Sequence, residues 1–105
     1  MTRVKFLSKR ESLYGFEIIG HSSTDCDDFE GKIVCAAVSS AAYMTANTIT
    51  EIIGDKCDID VDEAMMRVSV IAPSHKTITV LEGLKLHLSE LSKQYSKRIK
   101  ITTEV

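Results

Sequence analysis

Hydrophobic and polar positions alternate along several short segments of this chain. Near the N-terminus Val4 and Phe6 occupy every second position, and a polar turn separates them from a second alternating run that contains Gly15. Alternation with period two is typical of half-buried strands, and a glycine inside a strand indicates a bulge. The pattern predicts four strands, at residues 3–8, 14–19, 64–72 and 98–104.

Two longer segments carry apolar residues at helical spacing. The first predicted helix runs from Ile33 to Ile53, and Gly54 suits its C-terminal cap. One stripe at helical spacing along it holds Cys35, Val38, Ala42, Thr45, Ile49 and Ile52, and a second stripe beside it holds Ala37, Ala41, Met44 and Thr48. The second helix follows Pro73, with Ser74 as its N-cap. Its apolar face is predicted to hold Ile78, Leu81, Leu84, Leu88, Leu91 and Tyr95.

The element order predicted from these patterns is β-β-α-β-α-β. We interpret it as a two-layer α+β domain with both helices on one face of a sheet. A chain of 105 residues is the size of one domain, so residues 1–105 are predicted to form a single domain.

Composition and charge narrow the function classes. The chain is 44% hydrophobic and 27% charged, with a formal net charge of −2, which argues against direct binding of nucleic acid. Residues 33–50 carry no charged side chain, but their many Ser, Thr and Asn residues argue against a membrane span. The N-terminus lacks the apolar segment of a signal peptide. Three cysteines cannot all pair within the chain, so a cytoplasmic protein with reduced thiols is predicted.

The uncharged helix also predicts self-association. Small residues form two stripes along it, and the second helix can cover only part of the second stripe. Because exposed apolar surface of this kind marks an interface, we predict a homodimer.

Candidate chemistry lies in residues 20–40. His21 opens a polar loop, and Cys35 is predicted to lie in or just after the first turn of the predicted helix. The free N–H groups of a first turn favour a thiolate, and an imidazole can accept the thiol proton. The residues alone leave three interpretations of Cys35 open: a buried structural thiol, a nucleophile paired with His21, or a metal ligand together with His21 and Cys26. The metal site lacks a CxxC pair and a clear fourth ligand.

The loop between His21 and the helix is acidic. Its carboxylates would stabilise the helix N-terminus, favour imidazolium and attract a basic substrate, although they oppose a thiolate. Phe29 is the apolar residue that could fold over a bound peptide, so we predict a lid that is mobile without substrate. The predicted substrate loop contains Asp25, Asp27, Asp28, Phe29 and Glu30. Ser39, one helical turn after Cys35, could bond to the Cys35 carbonyl or help to position His21.

The motif Gly20-His21, followed by a loop and then by IVCAAVS at residues 33–39, resembles the signature of the ribosomal-processing cysteine protease family, Prp. The resemblance extends over nearly the whole chain, including the opening hairpin, the small-residue helix, and Gly83-Leu84 followed by Tyr95 and a final strand. The motif itself is specific, whereas the remaining agreement is one of pattern.

The resemblance implies a cysteine endopeptidase without a cofactor or metal. In that family a histidine and a cysteine form a catalytic dyad that removes a short N-terminal extension from bacterial large-subunit ribosomal protein twenty-seven. By resemblance Cys35 is the nucleophile and His21 the general base, and the partner is the basic N-terminal segment of that ribosomal protein. Backbone N–H groups at the helix start are the predicted oxyanion donors.

Two features depart from the family pattern. Lys32 stands where family members commonly have an aspartate, a role that Asp28 or Glu30 could take over. The loop is slightly longer and contains Cys26, which could form a reversible disulfide with Cys35. The alternative functions are a non-enzymatic ribosome-associated or assembly protein and a small thiol-redox protein.

Overall fold

Five strands and two helices make up the computed structural model of the protein, which describes residues 1–20 and 28–104. The elements are β1 (Thr2–Lys9), β2 (Ser12–Ile19), α1 (Phe29–Asn47), a π-helical segment (Thr48–Ile53), β3 (Cys57–Asp62), β4 (Met65–Val70), α2 (His75–Gln94) and β5 (Ile99–Glu104). The α+β class is confirmed, and the order is β-β-α-β-β-α-β.

The strands form one mixed sheet in the order β3-β4-β2-β1-β5. Among the described strands, β1 and β5 pair in parallel, and the other neighbours are antiparallel. The sequence pattern missed β3, because Asp alternates with apolar residues along it and Asp is depleted in strands. Its pairing with β4 across a short hairpin turn, in which Ala64 has a φ of 60°, stabilises the strand.

One face of the sheet carries the core. Val4, Phe6, Phe16 and Val68 are completely or almost completely buried there, beneath residues from both helices. The helices therefore pack on the same face, as predicted. The opposite face is charged, and Glu17 pairs there with Arg67 at 2.8 Å. This division into an apolar face and a polar face explains the period of two along the strands.

The turn and the bulge of the first hairpin have local causes. Arg10 and Glu11 have φ values of 53° and 65°, the left-handed backbone that two-residue hairpin turns require. The register shifts between Leu7 and Ser8, opposite the segment that contains Gly15. A Cβ at Gly15 would collide with the Val68 carbonyl oxygen, so only glycine allows β2 and β4 to approach this closely.

The first helix begins earlier than predicted, whereas its predicted end at Ile53 and its cap at Gly54 are confirmed. The helix begins at Phe29, four residues before the predicted start at Ile33, because Asp28 supplies an N-cap within the acidic loop. Near the other end, the amide of Gly54 bonds to the Ile49 carbonyl, five residues earlier, at 2.9 Å. This wider turn rotates the following residues, and Ile52, which shares a predicted stripe with the buried Ile49, is 80% exposed.

The second helix matches its predicted face and cap. Leu81, Leu84 and Leu88 are buried, and the Ser74 side chain accepts a bond from the Thr77 amide. Asp55 joins the end of the π-helical segment to this helix start, since its carboxylate accepts bonds from the Ser74 amide and from the hydroxyls of Ser74 and Thr77. These bonds hold the pKa of Asp55 below its ordinary value.

Among the described residues, one helical stretch, Phe29–Ile53, is long and apolar enough to cross a membrane, with a mean hydropathy of 1.2 in its best window. The same stretch places Val34, Val38 and Ile49 in the protein core. The apolar inner side of this stretch packs in the core, and a third of the residues in its most apolar window are buried.

Candidate functional site

A cavity of about 160 Å³ separates α1 from the β3–β4 hairpin, and Cys35 lies on its wall. Cys35, Ser39 and Tyr43 contribute the α1 side, and Gly20 lies at the end of β2. The complete lining is Thr2, Ile18, Gly20, Cys35, Val38, Ser39, Ala42, Tyr43, Val61, Asp62, Ala64, Met65 and Met66. A cavity of this volume can hold one amino-acid side chain.

Cys35 lies deeper in its helix than predicted. It is the seventh residue of a helix that begins at Phe29, so the helix start is roughly 9 Å away along the axis. The favourable effect of helix-end amides falls off within the first turn. Cys35, predicted to lie in or just after the first turn, therefore lies in the second turn. Among the helix-start amides, which the sequence suggested as oxyanion donors, those of Gly31 and Lys32 already donate to Asp28. The half-buried thiol instead faces the cavity between helix and hairpin.

Asp28 fixes the start of α1. Its side chain accepts a bond from the Gly31 amide at 3.0 Å and another from Arg98 at 2.7 Å. Arg98 also binds Glu30 at 2.9 Å, and these two carboxylates raise the pKa of the guanidinium. The helix that carries Cys35 is thereby anchored to the segment before β5. Asp28 and Glu30, predicted to belong to a substrate loop, act in the structure as helix-anchoring groups.

Phe29 also belongs to the first turn of α1 rather than to the predicted loop. Its side chain is 74% exposed, and the Lys32 ammonium lies 5.8 Å from the ring centroid, within the range of a cation–π contact. The cation at position 32 thus has a local structural partner. An exposed aromatic ring at this position remains accessible to a bound peptide.

The rest of the predicted loop, including His21, Asp25, Cys26 and Asp27, lies outside the described residues. Gly20, which precedes His21 in the sequence, is described and lines the same cavity as Cys35. Its φ of 94° and the closeness of the Met1 carbonyl require glycine. Its amide donates to the Ala64 carbonyl at 2.8 Å, which fixes the end of β2 against the hairpin turn.

Ser39 is exposed on the helix surface that lines the cavity. Within residues 1–20 and 28–104 its hydroxyl makes no hydrogen bond, so the bond to the Cys35 carbonyl that the sequence suggested is not formed. Thr45, Thr48 and Thr50 on the same helix do bond to carbonyls four residues earlier. The Ser39 hydroxyl is therefore oriented differently from these threonines and is accessible from the cavity.

The hairpin side of the cavity was not predicted from the sequence. Val61, Asp62 and Met65 form part of it, although this region was interpreted as a loop followed by a strand. The available signal was the alternation of Asp with Ile and Val between Cys57 and Asp62. That alternation has the period of a strand and could have indicated the hairpin.

The second described cysteine has a different environment. Cys57 packs against the edge of the core, and burial, followed by the charges of Asp55 and Asp58, raises the pKa of its thiol. It lies on edge strand β3. His75 and His87 are exposed on α2. Within the described part of the chain, no group of three or more His, Cys, Asp or Glu residues could hold a metal ion.

The comparison with protein families gives a match that spans almost the entire chain. The family model for "Cysteine protease Prp" matches residues 1–100. A comparison with curated proteins found no significant match.

Solved structures share the fold. A crystal structure of the essential ribosomal processing protease Prp from S. aureus with a substrate peptide has a TM-score of 0.88 and 17% identity, covering 99% of this chain and 100% of that chain. The same protease with a covalently linked product peptide gives a TM-score of 0.87 at 18% identity, with 99% and 100% covered. SMU.848 from Streptococcus mutans gives 0.85 at 21% identity, covering 99% and 96%.

Proposed function

Because the chain belongs to the cysteine protease Prp family, whose members are hydrolases, we propose that it is an endopeptidase with Cys35 as its nucleophile and His21 as its general base. The observation that carries this proposal is the cavity that Cys35 shares with Gly20. His21 directly follows Gly20 in the sequence, and Cys35 directly follows the Ile33-Val34 pair of the family motif.

The proposed reaction has two halves. His21 takes the proton of the Cys35 thiol, and the sulfur attacks the scissile carbonyl to form a tetrahedral oxyanion. The oxyanion collapses, the C–N bond breaks, and the imidazolium of His21 donates its proton to the leaving amine. Water then attacks the thioester with His21 again as base, which releases the carboxylic acid and restores the thiol. No cofactor or metal enters this scheme.

Ser39 is proposed to support this chemistry, because its hydroxyl lies one helical turn from Cys35 and faces the same cavity. The oxyanion donors are proposed to lie among the groups that line the cavity around Cys35, where Ser39 and Tyr43 contribute hydroxyls from the α1 wall. Loss of Ser39 is expected to lower kcat more than it raises KM.

The proposed substrate is the N-terminal extension of bacterial large-subunit ribosomal protein twenty-seven. The family resemblance implies this substrate, and the S. aureus protein with the same fold is described as a ribosomal processing protease. A basic ribosomal segment also suits the acidic residues that precede α1. Asp25 and Asp27 of the loop, together with Phe29 at the start of α1, are proposed to contact this segment in a cytoplasmic setting.

Self-association remains part of the proposal. An apolar groove of about 730 Å³ runs between α1 and α2, and Met44, which lines it, is 67% exposed. Covering this groove with a second copy would bury the Met44 side chain. Sedimentation is expected to give a dimer at micromolar concentration, and Met44→Lys is expected to give a monomer. A parent protein that sediments as a monomer would contradict the proposed dimer.

Cleavage of a peptide that spans the extension junction tests the proposed function. Cys35→Ala and His21→Ala are expected to lower the rate by several orders of magnitude, with circular dichroism spectra like that of the parent. Cys57→Ala and His87→Ala are matched controls that remove the same side chains elsewhere, and both should cleave at close to the parent rate. Parental cleavage by Cys35→Ala would exclude the proposed nucleophile.

A further inference from the structure

Strand β3 leaves one side of its backbone available for pairing. It forms an edge of the sheet and pairs with β4 alone among the described strands. The Ile71 amide donates to the Lys56 carbonyl at 3.0 Å, so Lys56 and Ile71 form a hydrogen-bonded pair between the two strands. Because bonded and non-bonded pairs alternate in antiparallel strands, the N–H and C=O groups of Cys57, Ile59 and Val61 point away from β4.

The side chains along this edge have two different characters. Ile59 and Val61 lie on the core-facing side of the strand, yet they are 46% and 51% exposed. Asp58, Asp60 and Asp62 lie on the other side, and all three are exposed. None of the three aspartates forms an ion pair with another described residue, since Arg67, opposite Asp60, binds Glu17.

Asp58, Asp60 and Asp62 form an acidic row, and this row restricts which strand can pair with the edge. Charged side chains on an edge strand oppose pairing with a second copy of the same chain, because two copies would bring like charges together. An extended segment with lysine or arginine at alternate positions would neutralise the row instead. Charge complementarity therefore selects a basic partner.

The edge also leads to the candidate catalytic residue. Val61 and Asp62, at the end of β3, line the cavity that contains Cys35 and Ser39. A peptide whose scissile bond lies at Cys35 can therefore continue beside β3. The six residues of β3 extend for roughly 20 Å, which is long enough for several residues of the peptide to pair.

We propose that β3 is a docking strand for basic peptides. An extended segment beside the scissile bond adds to the sheet next to β3, bonds to the outward backbone groups of Ile59 and Val61, and directs its basic side chains toward Asp58 and Asp60. Such strand addition gives affinity through the main chain and specificity through alternate side chains. This inference rests on the proposed function, since it assigns how that substrate is held.

A proline substitution tests the backbone part of this proposal. Ile59→Pro removes an N–H that points outward and leaves the bonds to β4 in place. The matched control Ile59→Val keeps the N–H and the branched side chain. For a junction peptide with its adjacent basic segment, Ile59→Pro is expected to raise KM about three- to tenfold, the worth of one hydrogen bond, with kcat little changed. Ile59→Val should keep the parental KM.

Neutralising the acidic row tests the charge part. Asp58→Asn/Asp60→Asn is expected to raise KM for the basic peptide and to weaken its dependence on salt. Glu51→Gln/Glu82→Gln removes the same charge from exposed positions elsewhere and should behave like the parent. With a peptide whose Lys and Arg are replaced by Gln, the parent and the Asp58→Asn/Asp60→Asn variant should have the same KM.

Binding to a non-cleaving variant provides a direct measurement. In Cys35→Ala, the amide protons of Ile59 and Val61 should exchange more slowly when the basic peptide is added, because they become hydrogen-bonded. If the parent cleaves the peptide while the Ile59→Pro and Asp58→Asn/Asp60→Asn variants keep its KM, the docking strand is wrong and the protease assignment stands. If the parent does not cleave it, both proposals are overturned. Unchanged exchange at both amides in the bound complex would also contradict the docking strand.

Discussion

The anchor at the start of α1 can be tested by changing one side chain. Asp28 accepts bonds from the Gly31 amide and from Arg98, and its side chain is only 11% exposed. Asp28→Ala removes both bonds, whereas Asp28→Asn removes the charge but keeps an N-capping oxygen. Loss of an N-cap costs about 1 kcal/mol, within a range of about 0.5–2 kcal/mol. The lost contact with Arg98 acts in the same direction.

For a domain of this size, a loss of about 1 kcal/mol lowers the melting temperature by about 4–8 °C. Thermal and urea unfolding, followed by circular dichroism, measure the change in the free energy of unfolding. Asp28→Asn should lose less than half as much as Asp28→Ala, because Asn caps helices about as well as Asp. The reasoning would be refuted if Asp28→Ala melted with the parent, or if Asp28→Asn lost as much stability as Asp28→Ala.

Three further predictions concern packing, pH and thiol reactivity. Gly15→Ala should destabilise the fold by about 1–3 kcal/mol in urea unfolding, because its Cβ collides with the Val68 carbonyl; a parental midpoint would contradict this. The pKa of Asp55 is lowered from 3.8 in the folded state, so the stability that its carboxylate contributes is present above pH 3.8 and is lost as pH falls through the folded pKa. Asp55→Asn should therefore lose less stability in acid than the parent does. Equal acid sensitivity of the two proteins would count against the bonds from Ser74 and Thr77 to Asp55. Iodoacetamide near neutral pH should alkylate Cys35 much faster than Cys57, whose thiol pKa is raised by burial; equal rates by peptide mass mapping would argue against an activated Cys35.

The sequence predicted best the elements in which apolar residues recur with one clear period. Leu81, Leu84 and Leu88 define the buried face of α2, and Ser74 caps it as expected. Val4 and Phe6 likewise identify the inner face of β1. In these elements the pattern of burial and the local capping preference agree, so local sequence is sufficient.

The features that the sequence did not predict depend on contacts between residues that are distant along the chain or on local helix geometry. The N-cap of α1 at Asp28 is supported by Arg98, which is distant along the chain. β3 forms although its aspartates disfavour strands, because it pairs with β4. The exposure of Ile52 results from a π-helical turn, and no periodicity in the sequence indicates such a turn.

The candidate site was predicted in part. The motif around Cys35 and the preceding Gly20 identified two segments that line one cavity. The hairpin wall with Val61 and Met65 depended on the missed strand, so it was not predicted. Cys35 is the seventh residue of α1, further from the helix start than the sequence indicated, because α1 begins at Phe29.

The proposed role of Cys35 is tested most directly by trapping its covalent intermediate. The protein is mixed with a junction peptide and quenched in acid during turnover, and the intact mass and peptide map are then measured. The account predicts a thioester between the N-terminal product fragment and Cys35 in the parent, and none in Cys35→Ala. Turnover with no adduct at Cys35, or with an adduct at another cysteine, would contradict it.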